Sequence, residues 1–127
     1  MIFGIGTDIL VIDRIHESLN KNLKLLDKMF SQKELEMLKA KNYRAESVAG
    51  NFCAKEAVMK SIGTGLRGFS LKEIQILRDE LGAPFLEAEG KLKNHLEKLG
   101  ILEIKVSISH SKNYATATAI SIKKSCG

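Results

Sequence analysis

Two carboxylates lie in segments of the sequence that are otherwise apolar. Asp8 follows the run Gly-Ile-Gly-Thr at 4–7, at a place where Val or Ile would pack better. Glu56 lies in the alanine-rich segment 45–62, which we expect to form a helix with one apolar face. A lone Asp at a strand end is usually a cap or turn residue. Two carboxylates that converge form an oxygen-rich site suited to Mg²⁺, a hard cation that keeps several waters and binds substrate phosphates.

Two lysines near Glu56 leave a plainer interpretation open. On a helical wheel of segment 45–62, Lys55 falls in the apolar sector together with Glu56, and Lys60 lies at its edge. Burying an unpaired charge is costly, so these groups need partners. Glu56 and Lys60 are four residues apart and can pair along the helix as an internal ion pair. The alternative is a carboxylate directed into a cleft, where a metal or a ligand cation neutralises it.

Two further runs carry groups suited to a phosphorylated ligand. The Gly-Thr-Gly run 63–65 ends the predicted helix, either as a simple C-cap or as a loop whose missing side chains let a phosphate approach the backbone. The Ser-His-Ser run 109–111 offers hydroxyl and imidazole donors, or is simply a hairpin turn. A Ser-His hydrolase is not supported, because neighbouring strand residues point to opposite faces and no G-x-S-x-G motif is present.

The apolar periodicity and the turn residues predict the elements that position these groups. Predicted helices cover 12–19, 22–30, a segment from Ser31 to about residue 42, 45–62 and 91–99; predicted strands cover 2–11, 73–77, 85–88, 104–109 and 115–122. Ser31 and Glu34 match a capping box at the start of the third helix. Alanines alternate along the last strand, so we expect that face to pack closely against a helix or another subunit. The sequence predicts an α+β fold.

Length and composition exclude several classes of protein. The 127 residues contain no linker or repeat, so we expect a single domain over 1–127. An excess of Lys and Arg (20) over Asp and Glu (15) favours acidic or phosphate-bearing partners. The chain has no Trp and little material for stacking nucleobases, and its cysteines lack zinc-type spacing. No apolar run approaches the ~20 residues of a membrane span, and no signal peptide opens the chain, so we expect a cytoplasmic protein without membrane contact.

Four motifs occur in order along the chain, and together they carry a resemblance. They are Gly-Ile-Gly-Thr-Asp-Ile at 4–9, Phe-Cys-Ala-Lys-Glu-Ala at 52–57 with its continuation to the Gly-Thr-Gly run, Gly-Ala-Pro at 82–84, and Ser-Ile-Ser-His-Ser at 107–111. In these motifs the sequence resembles the small holo-acyl-carrier-protein synthases, the group I 4′-phosphopantetheinyl transferases. The resemblance implies the fold of that family, an antiparallel sheet packed against a long central helix.

The resemblance also implies a reaction and roles for individual residues. A serine hydroxyl of apo-acyl carrier protein attacks the β-phosphate of coenzyme A and releases 3′,5′-ADP, a step of fatty acid biosynthesis. Asp8 and Glu56 would be the Mg²⁺ ligands, and Lys60 would neutralise phosphate charge as the third catalytic residue. The residues implied along the coenzyme A pocket are Lys60, Gly63, Gly65, Pro84, Ser109 and His110. The proton acceptor stays open between Glu56 and a metal-bound water.

Partners follow from the same resemblance. Arg14, on the short helix after Asp8, matches a family position that pairs with acidic residues of the acyl carrier protein. Members of the family form trimers with each active site between two subunits, so the resemblance implies a homotrimer. Neither nucleic acid nor membrane is an expected partner.

One position departs from the family pattern. The family often has Arg immediately before the Phe of the second motif, where this chain has Asn51. An Arg at that position is a natural partner for the 3′-phosphate of coenzyme A, and Arg44 and nearby lysines are candidate replacements. Two other functions remain as alternatives: a basic nucleic-acid-binding module without catalysis, and a non-catalytic oligomer that holds coenzyme A or a nucleotide.

Overall fold

The structure, a computed structural model, describes residues 1–65 and 68–125. Its helices are α1 (Ile12–Lys21), α2 (Lys24–Met29), α3 (Gln32–Ala40), α4 (Ala45–Ile62) and α5 (Gly90–Leu99), and its strands are β1 (Ile2–Val11), β2 (Ile74–Arg78), β3 (Pro84–Ala88), β4 (Ile101–His110) and β5 (Tyr114–Lys123). Every predicted element is present. A short 3₁₀ turn, Leu71–Glu73, precedes β2 where the sequence predicted the start of that strand.

Two antiparallel sheets surround the long helix α4. One has three strands in the order β1-β5-β4, and the other is the β2–β3 hairpin. In the larger sheet Asp8 lies opposite Ala117, and His110 lies opposite Ala115. The predicted α+β fold, with an antiparallel sheet packed on a central helix, is confirmed.

Helix α4 is buried around most of its circumference. It packs against β1, β5 and β4 on one side and against β2 and α1 on others. Its buried residues therefore include polar ones, Asn51 and Lys55, besides the apolar sector that the helical wheel predicted. Asn51 and Lys55 are buried and cannot reach solvent, so each needs a specific partner.

Small residues allow α4 to lie directly on the sheet. A Cβ atom at Gly6 would overlap the backbone oxygen of Ala57, and one at Gly4 would overlap that of Ser61. On β5, the helix-facing residues Ala115 and Ala119 are fully buried, and the Cys53 thiol of α4 donates a hydrogen bond to the carbonyl oxygen of Ala115. Of the two partners predicted for the alanine face, the structure shows the helix of the same protomer.

Lys55 is part of a buried ion pair. Its Nζ lies 2.6 Å from Glu34 Oε1, and both side chains are completely buried. The ammonium also donates to the carbonyl oxygens of Leu71 and Ile74. Burial lowers the pKa of Lys55, and the Glu34 carboxylate opposes that shift. Lys55 therefore joins α4 to α3 and β2, and it does not face a cleft.

Glu34 also completes the predicted capping box. The Ser31 hydroxyl accepts from the Glu34 backbone N–H at 3.2 Å, and the Ser31 N–H donates to Glu34 Oε1 at 3.0 Å. The carboxylate accepts two further hydrogen bonds, from the Asn51 amide and from the backbone N–H of Ile76. One acidic side chain therefore caps α3 and neutralises the buried lysine of α4.

Candidate active site

Asp8 and Lys60 meet where β1 crosses the last turn of α4. Asp8 lies two residues after Gly6 on the helix-facing side of the strand, and its side chain is 18% exposed. Lys60 Nζ donates to Asp8 Oδ1 at 3.2 Å and to the carbonyl oxygen of Thr7 at 2.9 Å. The close approach at Gly6 therefore places the Asp8 carboxylate beside the helix.

Glu56 lies near both of these groups. Burial raises the pKa of the Glu56 carboxyl, the negative charge of Asp8 raises it further, and Lys60 lowers it. The Cys53 thiol, also on α4, experiences the same field: burial and the Asp8 charge raise its pKa to about 12. The two carboxylates that we expected to converge therefore do lie near each other. Among the described residues Lys60 pairs with Asp8, so the ion pair with Glu56 is not the one that forms.

This group of Asp8, Glu56 and Lys60, called here the carboxylate site, has donors that suit a hard divalent cation. Its two carboxylates repel each other, and one of them already has a raised pKa, so a positive ion would stabilise both in the charged form. Within residues 1–65 and 68–125, no group of three or more His, Cys, Asp or Glu side chains could hold a metal. Mg²⁺ often takes only one or two carboxylates and completes its shell with waters and substrate phosphates.

The glycine run follows the carboxylate site along the chain. Gly63 has φ 83° and caps α4, donating its N–H to the carbonyl oxygen of Met59 at 3.0 Å. Gly65 has φ 67°, and a Cβ at either glycine would have no atom of the described residues within 4 Å, apart from its chain neighbours. Thr64 Oγ1 lies 3.0 Å from His95 Nε2, which joins the loop to α5. The C-cap is confirmed.

Pro84 and His110 line a different pocket. This cavity of about 200 Å³, called here the basic pocket, lies between α4, β4 and the β2–β3 turn. Its polar lining residues are Lys41, Glu46, Ser47, Arg78 and His110. None of the three residues of the carboxylate site is among the described residues that line it. Within one protomer the predicted site residues therefore fall into two separate groups.

Besides the two glycines of the 63–65 run, two other predicted residues lie outside both groups. Ser109 is adjacent to His110 on β4 and so points to the opposite face, where it is exposed and pairs with Thr116. Arg14 is exposed on α1 and forms no ion pair with any described residue.

Arg78 is a residue that the sequence reasoning missed. Its Nη2 donates to Asn51 Oδ1 at 2.8 Å, directly at the position where the family often has Arg. The candidate that we named instead, Arg44, is mostly exposed and pairs with Glu46 at 3.1 Å. A register count through the predicted hairpin would have found Arg78, because it lies opposite Pro84 in the β2–β3 ladder.

Comparison with known proteins decides the family. A family model described as the 4′-phosphopantetheinyl transferase superfamily matches residues 4–119. The chain belongs to this superfamily. No helix in the described part of the chain is both long and apolar enough to span a bilayer.

Curated relatives and solved structures agree with this assignment. The chain is 47% identical over 118 residues to a holo-[acyl-carrier-protein] synthase of Thermoanaerobacter sp. (strain X514), covering 93% of this chain and 86% of the relative. The Clostridium kluyveri relative of the same name is 48% identical over 120 residues, covering 94% and 90%. The corresponding structure from Neisseria meningitidis has a TM-score of 0.91 at 33% identity, covering 97% and 100%. The Helicobacter pylori structure, a complex with coenzyme A, has a TM-score of 0.81 at 29% identity, covering 93% and 99%. The family, the fold and the enzyme class inferred from the sequence are thereby confirmed.

Proposed function

We propose that this chain transfers the 4′-phosphopantetheine group of coenzyme A to a serine of apo-acyl carrier protein. The reaction requires Mg²⁺, releases 3′,5′-ADP and serves fatty acid biosynthesis in the cytoplasm. The observation that carries the proposal is the contact between Asp8 and Lys60 where β1 crosses α4, with Glu56 close enough for its charge to interact with both. The names of the relatives and the coenzyme A bound in the Helicobacter pylori structure support the same substrates.

The carboxylate site suits phosphoryl transfer because this reaction depends mainly on positioning and charge neutralisation. Asp8 and Glu56 would hold the Mg²⁺, which when bound neutralises and polarises the pyrophosphate. Lys60 extends from the last turn of α4 and places its ammonium near the phosphates. Gly63 and Gly65 have no side chains to obstruct a ligand that approaches their backbone.

The attacking serine hydroxyl must lose a proton. Glu56 is a candidate acceptor, because its carboxylate lies in the site with Asp8 and Lys60. A water held in the site is the other candidate. Arg14, exposed on α1, would pair with acidic residues of the carrier protein, and the formal charge of +5 favours that association.

The complete site forms between two protomers of a homotrimer in this proposal. Two observations support it. The carboxylate site and the basic pocket are separate within one protomer, although the proposed substrate needs both. The outer face of the three-stranded sheet also exposes apolar side chains, with Ile5 and Ile9 each 63% exposed. Ser109 lies on that outer face, so a neighbouring protomer would bring it into contact with the shared site.

The test is incubation with coenzyme A, Mg²⁺ and apo-acyl carrier protein, followed by intact mass measurement of the carrier. We expect the carrier to gain the mass of one phosphopantetheine group. We expect no gain when EDTA is added, and none when the enzyme carries Glu56→Gln. Glu36→Gln, an exposed position on α3, is the matched control and should keep the activity. A carrier that gains no mass with the unmodified enzyme would refute the proposal. A nucleic-acid-binding module or a non-catalytic coenzyme A carrier would instead bind its ligand equally well with and without Glu56→Gln.

A further inference from the structure

The basic pocket contains more positive than negative charge. Lys41, Arg78 and His110 contribute nitrogen donors, and Ser47 contributes a hydroxyl. Glu46 is the one acidic residue among the described residues that line it, and it pairs with Arg44 at 3.1 Å, so its charge is already compensated. The pocket therefore has the composition of a site for a compact anion.

Arg78 is the most strongly positioned cation in this pocket. Its side chain is partly buried, and its two terminal nitrogens donate to the carbonyl oxygen of Leu77 at 3.3 Å and to Asn51 Oδ1 at 2.8 Å. Its Nε has no partner in the described part of the chain. Every buried side-chain nitrogen or oxygen in the described residues has a hydrogen-bond partner. Nε of Arg78 has none, so this atom is not buried and a ligand can reach it. The two hydrogen bonds orient the guanidinium, and its Nε–H remains available to donate to an anion.

Asn51 holds Arg78 in this orientation because its own orientation is determined. The Asn51 amide nitrogen donates to the carbonyl oxygen of Ile76 at 2.9 Å and to Glu34 at 3.4 Å, so Oδ1 is directed toward Arg78. Glu34 is in turn fixed by the buried Lys55. Buried hydrogen bonds through Asn51 and Glu34 therefore hold the Arg78 guanidinium in place. Arg44, by contrast, is mostly exposed and pairs with Glu46.

The proposed substrate carries a pyrophosphate on the 5′-carbon of its ribose and a single phosphate on the 3′-carbon. In the carboxylate site a divalent ion and Lys60 would neutralise the pyrophosphate. The ribose phosphate is a separate dianion, and it needs a second basic site. The planar fork of an arginine matches a phosphate monoester better than an ammonium does.

We propose that Arg78, oriented by Asn51, binds the 3′-phosphate of coenzyme A and selects it over coenzyme A that lacks this group. The proposal rests on the proposed function for the identity of the nucleotide. In this chain the cation then comes from the end of β2, and the α4 position that often carries it in the family serves to orient it.

Calorimetric binding of two nucleotides tests the proposal without requiring turnover. The probes are 3′,5′-ADP and 5′-AMP, which differ only in the 3′-phosphate. We expect the unmodified protein to prefer 3′,5′-ADP by about 10- to 100-fold, as one charged hydrogen-bonding pair contributes. Arg78→Gln should remove most of that preference, because it should weaken the binding of 3′,5′-ADP and leave the binding of 5′-AMP unchanged. The exposed Lys98→Gln, on α5, is the matched control and should keep it.

Two results would overturn the proposal: an unmodified protein that binds both nucleotides equally, or a folded Arg78→Gln variant that keeps the preference. Arg78→Lys is the second variant, since it preserves the charge and the packing of the stem. It should weaken 3′,5′-ADP binding several-fold, because an ammonium cannot make the two-point contact; unchanged affinity would also count against Arg78. Transfer activity is measured separately, so failure of the catalytic assignment is distinguishable from failure at Arg78.

Discussion

Lys60 donates a hydrogen bond to Asp8 at 3.2 Å and thereby joins the last turn of α4 to the middle of β1. The two residues are 52 positions apart in the sequence. A divalent ion that binds to Asp8 competes with this ammonium, and a lysine released from Asp8 is free to bind phosphate. Under the proposed function, the contact would therefore relate metal binding to substrate binding.

Lys60→Met should strengthen Mg²⁺ binding by the isolated protein and weaken coenzyme A binding. The ammonium competes with the metal for Asp8 and also repels a cation. Its removal should therefore raise the affinity for Mg²⁺ by about tenfold, which corresponds to roughly 1.4 kcal/mol. Calorimetric titration after EDTA treatment measures both affinities. Lys98→Met, on the exposed side of α5, is the control. Unchanged Mg²⁺ affinity in Lys60→Met would show that the contact does not compete with the metal.

Glu56→Gln should lower transfer by at least ~100-fold without weakening the fold at neutral pH. The pKa of Glu56 is raised in the folded state, so this carboxyl contributes stability at acid pH that is lost as the pH rises through its folded pKa. A glutamine has no such dependence. The free energy of unfolding of both proteins is measured with urea, in EDTA, at pH 4 and at pH 7. The stability of the variant relative to the parent should be higher at pH 7 than at pH 4. If the relative stability of the variant were instead lower at pH 7, the pKa of Glu56 would not be raised by folding.

Gly6→Ala should destabilise the protein by about 1–3 kcal/mol or more, because the added methyl overlaps the backbone of α4 at Ala57. Backbone atoms cannot move aside as a flexible side chain can. Asp8, two residues further along β1, should then shift, and transfer should fall together with stability. Thr7→Ala, on the exposed face of the same strand, is the matched control. Denaturant unfolding is the measurement, and equal stability of both variants would refute the close packing.

Lys55→Met should cost about 3–5 kcal/mol in the free energy of unfolding, because it leaves the Glu34 carboxylate buried without its cation. Adding Glu34→Gln removes that uncompensated charge, so the double variant should recover part of the loss. A double-mutant cycle by urea unfolding measures the interaction. Strictly additive losses would mean that the two charges do not stabilise each other.

Two inactive variants should restore activity together if each site is shared between protomers. Asp8→Asn inactivates the carboxylate site, and the double variant Arg78→Gln, His110→Ala impairs the basic pocket. Random co-assembly of the two chains produces mixed trimers in which one of the three sites combines two intact halves, which is about a quarter of all sites once the unmixed trimers are included. The carrier mass assay should then show activity that neither variant has alone. No recovery in mixed trimers would place both halves of the site in one protomer.

The sequence by itself determined the elements, the family and the positions of the carboxylates. Apolar periodicity and glycine stops depend on local geometry, so they predicted α4 and its C-cap at Gly63. Asp8 and Glu56 were recognisable because a charge in an apolar element must have a partner. Ser31 and Glu34 are three residues apart, so their capping box was readable as a local pattern.

Only the tertiary structure decided which partner each buried charge has. Along α4, Glu56 and Lys60 have the spacing of a pair, yet Lys60 bonds to Asp8 and Lys55 bonds to Glu34. Arg78 acquired its position from packing of the β2–β3 hairpin against Asn51. Periodicity along one element specifies which face is buried but carries no information about what covers it. The choice between partners is made by contacts that span many residues, and these exist only once the elements have packed.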